Sequence, residues 1–193
     1  MGDTQIRWAA GWRVGVACFA LGAALSATAA ESPFKLLSSA VVPNSSLAPD
    51  QVYNAFGCTG KNISPPLIWS GVPPETKSFA LTMYDPDAPT GSGWWHWVVY
   101  NIPASATVLD AGAGNTDGKL PSGAMQGRTD FGTTGYGGPC PPKGDKPHRY
   151  IFTIYALKTA KLDVPASSSA AMLGFAINAN KLASATLTAF YGR

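Results

Sequence analysis

The sequence predicts a mostly β domain, and three observations predict it. Runs of strand length rich in aromatic and β-branched residues recur along the chain, Gly and Pro crowd the segments between them, and helical spacing occurs in one stretch only. Taken in order, residues 34–37 and 67–69 are short candidate strands. Residues 78–84 alternate, with Phe79, Leu81 and Met83 on one face and Ala80, Thr82 and Tyr84 on the other. Residues 94–102 and 149–157 are aromatic and β-branched runs of strand length. Residues 168–181 are the expected helix, behind a Ser167 or Ser168 cap, with Met172, Phe175, Ala176 and Ala179 at helical spacing. A last strand is expected at 185–191. The longest connection, 110–144, is of a length that is uncommon without regular structure and usually functional.

Composition bounds the function class. The 193 residues include 21 Gly and 16 Pro, a share high for a globular protein yet below that of low-complexity disorder. Eleven per cent aromatic residues argue for a buried core. A net charge of +3, from 14 Lys+Arg against 11 Asp+Glu, is too small and too scattered for a nucleic-acid footprint. Residues 1–30 read as a signal peptide: Arg7 and Arg13 precede an apolar run from Val14 to Leu25, and small residues follow up to Ala30. Cleavage near Ala30 leaves 31–193 as one domain, periplasmic or secreted, with no stable membrane anchor. Export removes Cys18 and leaves Cys58 and Cys140, an even number in an oxidising compartment. Both lie in Gly/Pro-rich loops, and a disulfide between them is the expectation; two free buried thiols are the alternative.

Three segments carry candidate chemistry. Residues 84–96 leave one strand and enter the next, with Asp85 at the strand end and Pro86 and Pro89 fixing the backbone. Residues 135–144, including Gly138 and Pro141, form a Gly/Pro loop suited to an anion-binding nest of backbone N–H groups. His148-Arg149-Tyr150 follows at the start of a strand. His96 and His148 are the two histidines of the chain, so any imidazole chemistry uses them.

These same residues carry a family likeness. Asp85-Pro86-Asp87-Ala88-Pro89, His96 in a Trp-rich strand, Pro141-Pro142-Lys143-Gly144 and His148-Arg149-Tyr150 resemble the phosphatidylethanolamine-binding protein family, and within it the bacterial Raf-kinase-inhibitor-like branch. The likeness extends over residues 34–193. It implies an antiparallel β-sandwich with one or two peripheral helices and a small cavity for phosphate-like anions and phosphorylated head groups. It further implies that Asp85, Trp94, His96, His148 and Tyr150 line that cavity. Trp95 stands where some eukaryotic members have a histidine, which counts against eukaryotic-style kinase binding.

An ionised Asp85 would repel a phosphate, so it must serve in another way, either by holding an imidazole N–H or by receiving the ammonium of a zwitterionic head group. If protonated His96 and His148 hold the anion, affinity should fall as pH rises through their titration. Two other readings stay open. Asp85, His96 and His148 could form a mononuclear metal site. Alternatively, the loop face around 110–142 could engage an unidentified secreted or host protein as an inhibitor or modulator. Hydrolysis is not expected, because no G-x-S-x-G elbow is present, and no cofactor is implied.

Overall fold

Antiparallel pairing sorts every strand of the computed structural model, which describes residues 1–2 and 33–193, into one of two sheets. Apart from residues 1–2, the expected leader lies outside the described residues. The elements run β1 (Lys35–Leu37), β2 (Leu67–Ser70), β3 (Ser78–Asp85), β4 (Trp94–Pro103), β5 (Val108–Leu109), β6 (Met125–Gln126), β7 (His148–Leu157), α1 (Ala170–Asn180) and β8 (Lys181–Tyr191). A three-stranded sheet has the order β1-β2-β5, and a five-stranded sheet the order β6-β4-β3-β7-β8.

The alternation in β3 shows how the layers form. Phe79, Leu81 and Met83 pack with Leu36, Leu67, Trp69 and Leu109 of the small sheet, so the main core lies between the sheets. Ala80 points the other way and joins Val98, Tyr100 and Leu157 in a second core. Leu162, Leu173 and Ile177 close that second core, which puts α1 over the outer face of the large sheet. Strand β3 is therefore buried on both faces and flanked on both edges. It is the most constrained element of the fold, and the site hangs from its end.

The helix differs from expectation in its cap and its face. Ser169 is the N-cap, its hydroxyl accepting from Met172 N at 3.2 Å. The buried stripe is Ala170, Leu173 and Ile177, at i, i+3 and i+7, while Met172 and Phe175 are exposed. Met172 and Phe175 suggested the spacing by their size, but Ala170, Leu173 and Ile177 are the residues that face the sheet. Strands β5 and β6, two residues each, were not expected; they are too short to show a period.

Cys58 and Cys140 form a disulfide with a Cα–Cα distance of 6.0 Å, which joins the two Gly/Pro-rich loops as expected. Gly138 lies beside this link. A Cβ there would run into the Gln51 carbonyl oxygen and the Tyr53 amide, both main chain and unable to swing aside. Gly138→Ala should therefore destabilise the fold by roughly 1–3 kcal/mol, read as a lower urea midpoint with an unchanged slope.

Candidate functional site

Adjacent strands bring the candidate residues to one end of the large sheet. Asp85, the last residue of β3, pairs with Trp94, the first of β4. On the other side of β3, Tyr84 pairs with Ile151 of β7, so Tyr150 and His148 continue past the end of the β3 ladder. His96 arrives by a different device. The register passes from Tyr84↔Trp95 to Met83↔Trp97, so one residue of β4 is skipped and His96 is the extra one. A bulge of this kind re-aims a side chain. It puts Trp95 against Tyr84, ring centroids 4.6 Å apart, and at the fringe of the helix-side core, away from His96.

Asp85, Trp94, His96, Pro141, His148 and Tyr150 line one cavity of about 190 Å³. Phe56, Phe131 and the Ala88–Pro89–Thr90 turn complete most of its wall. Gly138, also expected at the site, is not among the residues that line this cavity. The nest fails for a related reason. The amides of Tyr136, Gly137 and Gly144 donate to carbonyls of Gly114, His96 and Arg193, and that of Gly138 donates to Asn62 Oδ1. Residues 139, 141 and 142 are prolines and have no N–H. The loop thus spends its donors on holding itself in place and presents no run of consecutive free amides.

Asp85 is 3% exposed and is held through both carboxylate oxygens. Its Oδ1 accepts from Asp87 N at 2.8 Å and Ala88 N at 3.1 Å, which makes the Asp-Pro turn, and its Oδ2 accepts from His148 Nδ1 at 2.8 Å. The carboxylate is a turn former and an imidazole holder at once. Nε2 of His148 faces Asp145 at 3.4 Å, so the ring has a carboxylate at either nitrogen. Beyond the turn, the Arg149 guanidinium forks onto Asp87 through Nε at 2.9 Å and Nη2 at 2.6 Å and ties the turn to β7. Those bonds pull the Asp87 carboxyl down to about 2.

His96 is in the opposite situation. Its Nδ1–H donates to the Gly137 carbonyl at 2.6 Å, which fixes the tautomer and leaves Nε2 as the ring's acceptor. Burial pushes its pKa down to about 4, against the smaller opposing pull of the Gly137 carbonyl and the Asp85 charge. Burial therefore favours the neutral ring at neutral pH. Beside it, Trp94 Nε1 is buried without a hydrogen-bond partner, and the Tyr150 hydroxyl, which has no acceptor within hydrogen-bond distance, has the Asp85 carboxylate as its nearest source of one. Burial and then the Asp85 charge push the Tyr150 pKa up, which keeps its proton in place.

The metal reading loses support here. Among the described residues no three His, Cys, Asp or Glu are grouped to hold a metal ion, because Asp85 and the Nδ1 atoms of both histidines are turned onto partners within the protein. Phe56, Phe131, Thr90 and Asp145 were missed by sequence reasoning. Asp145 had a signal, being three residues before His148; Phe131 lies inside the long loop, where no pattern places it.

Comparisons with known proteins bear on the fold and its family. The family model described as "Phosphatidylethanolamine-binding protein" matches residues 37–192. The chain is 56% identical over 165 residues to the UPF0098 protein YbcL of Escherichia coli, covering 85% of this chain and 90% of that one. It is 52% identical over 157 residues to the UPF0098 protein YbhB of the same organism, covering 81% and 99%. The crystal structure of E. coli YbcL, described as a new member of the mammalian PEBP family, superimposes with a TM-score of 0.82 at 55% identity, covering 84% of this chain and 99% of that one. A PEBP homologue from Chlamydia trachomatis gives 0.70 at 33% identity, covering 83% and 97%.

Proposed function

Since the chain belongs to the phosphatidylethanolamine-binding protein family, we propose that its cavity binds a phosphate-like anion, free or as part of a phosphorylated head group. The observation that supports this reading is one small cavity lined by Trp94 and Tyr150, whose Nε1–H and O–H are buried with no protein acceptor within hydrogen-bond distance. Leaving two such groups unsatisfied costs free energy unless an acceptor visits them. A tetrahedral oxyanion offers acceptors in several directions, and about 190 Å³ is room for one with a small substituent.

Asp85 does not oppose this reading. Three hydrogen bonds hold its two oxygens to the turn and to His148, which offset part of its charge toward a ligand. His96, being neutral, offers Nε2 as an acceptor, which suits the P–OH of a monoprotonated phosphate better than a bare sulfate oxygen. Binding without turnover fits the same geometry. Neither imidazole hydrogen-bonds to a Ser, Thr or Cys among the described residues, and Cys140 is held in the disulfide.

Trp94→Phe and Tyr150→Phe test the reading, since each keeps a ring and removes a donor. Calorimetric titration with inorganic phosphate and with sulfate should show each variant weaker by roughly tenfold. Tyr150→Phe should also leave the ligand-free protein as stable as before or up to about 1 kcal/mol more stable, because it deletes an unsatisfied buried hydroxyl. Unchanged affinity in both variants would remove the anion from this cavity.

We further propose that the mature domain is exported. The leader pattern of residues 1–30 supports this, as does a disulfide of a kind that persists in oxidising compartments. No helix among the described residues is long and apolar enough to cross a membrane.

A further inference from the structure

At the mouth of the cavity stands Phe56, whose backbone is left-handed at φ 54° and whose side chain is 67% exposed. A bulky residue holds that conformation only where its surroundings over-determine it. Its ring stacks on Phe131 at 6.0 Å and meets Tyr53 edge-on at 5.4 Å. Two positions later Cys58 is bonded to Cys140. The remaining restraint comes from Arg193, whose guanidinium donates only to main-chain carbonyls: Nη2 to Phe56 at 3.3 Å, Nη1 to Gly57 at 2.9 Å and Nε to Pro141 at 2.6 Å. Among the described residues no carboxylate lies within ion-pair distance of it. The backbone is tied as well, Gly144 N donating to the Arg193 carbonyl at 3.1 Å.

A planar fork of five N–H donors can bridge three carbonyls on two loops; a lysine ammonium on a flexible stem cannot hold the same geometry. Both loops so bridged contribute to the cavity, through Phe56 on one and Pro141 on the other. We propose that Arg193 is a positioning residue of this cavity, whose guanidinium locks the two loops together and sets the Phe56 ring as an apolar rim. That rim would meet the organic group carried by a bound phosphate, so the favoured ligand is a phosphomonoester with an apolar or aromatic substituent next to the ester oxygen. This deepens the anion-cavity reading and rests on it.

Two probes separate the floor of the cavity from its rim: inorganic sulfate, which reaches only the floor, and phenyl phosphate, which reaches both. Arg193→Ala and Arg193→Lys should each weaken phenyl phosphate by roughly tenfold and leave sulfate within about twofold, since only preorganisation of the rim is lost. Full rescue by Arg193→Lys would assign the effect to charge alone and overturn the proposal. Equal weakening of both probes would do the same, by moving the effect to the floor. A second measurement needs no ligand. Amide exchange at residues 56–58 and 143–145 should quicken by roughly tenfold in both variants while β3 and β7 stay protected. Unchanged exchange there overturns the proposal whatever the anions do. If exchange changes as expected and the wild-type protein binds neither probe, the anion reading fails and the bracing of the rim by Arg193 is upheld.

Discussion

Replacing both members of the disulfide, Cys58→Ser with Cys140→Ser, is expected to lower the unfolding free energy by up to about 4–5 kcal/mol, the largest effect of any change considered for this chain. The magnitude follows from the sequence separation of 82 residues, which the cross-link keeps closed in the unfolded chain. Neither cysteine belongs to the two core clusters, so the sandwich should keep its fold when they go. The loss is therefore expected mainly as a lower denaturant midpoint, with a steeper slope because the uncrosslinked unfolded chain exposes more surface. Comparing oxidised, reduced and double-serine protein by guanidinium unfolding measures it. A difference below about 1 kcal/mol would mean that the unfolded chain keeps the two loops together without the bond. Affinity should respond sooner than fold. Cys140 itself lines the cavity, so mild reduction should weaken phosphate binding at denaturant concentrations where the circular dichroism is still native.

What the sequence made legible was set by pattern length. Strands of eight or more residues, β3, β4, β7 and β8, declared themselves through aromatic and β-branched runs, and β3 also announced its two faces. Asp85, Trp94, His96, Pro141, His148 and Tyr150 were legible because they sit in the motifs that carry the family likeness, and all six line the cavity. What stayed hidden depends on geometry that has no period. The bulge that re-aims His96 is visible only as a skipped register position. The donors of the 135–144 loop looked free in sequence and are consumed by Gly114, His96, Asn62 and Arg193, three of them far away along the chain. Phe56 and Arg193 are 137 positions apart, and nothing local links them. The charge state of His96 is hidden for the same reason: an imidazole in a sequence carries its ordinary titration, and burial, which lowers it here, is a property of the fold.

That burial gives the second large effect. His96 titrates at about 4 in the folded protein, against 6.5 for an ordinary imidazole, because desolvation penalises its charged form. As pH falls, the unfolded chain takes up this proton first. Stability contributed by the neutral ring is thus complete above about pH 6.5 and is lost progressively between 6.5 and 4. The loss over that window is about 3 kcal/mol, since each pH unit between the two values is worth about 1.4 kcal/mol. Asp87 acts in a separate window: held down to about 2 by Arg149, its contribution is present above its ordinary value and fades only below about pH 4. His96→Asn isolates the imidazole, because an amide N–H can replace Nδ1–H on the Gly137 carbonyl but carries no titrating group. Urea unfolding at pH 7 and pH 4.5 should show a steep loss in the wild type and a shallow one in His96→Asn. Parallel losses in the two proteins would show that His96 is not held neutral.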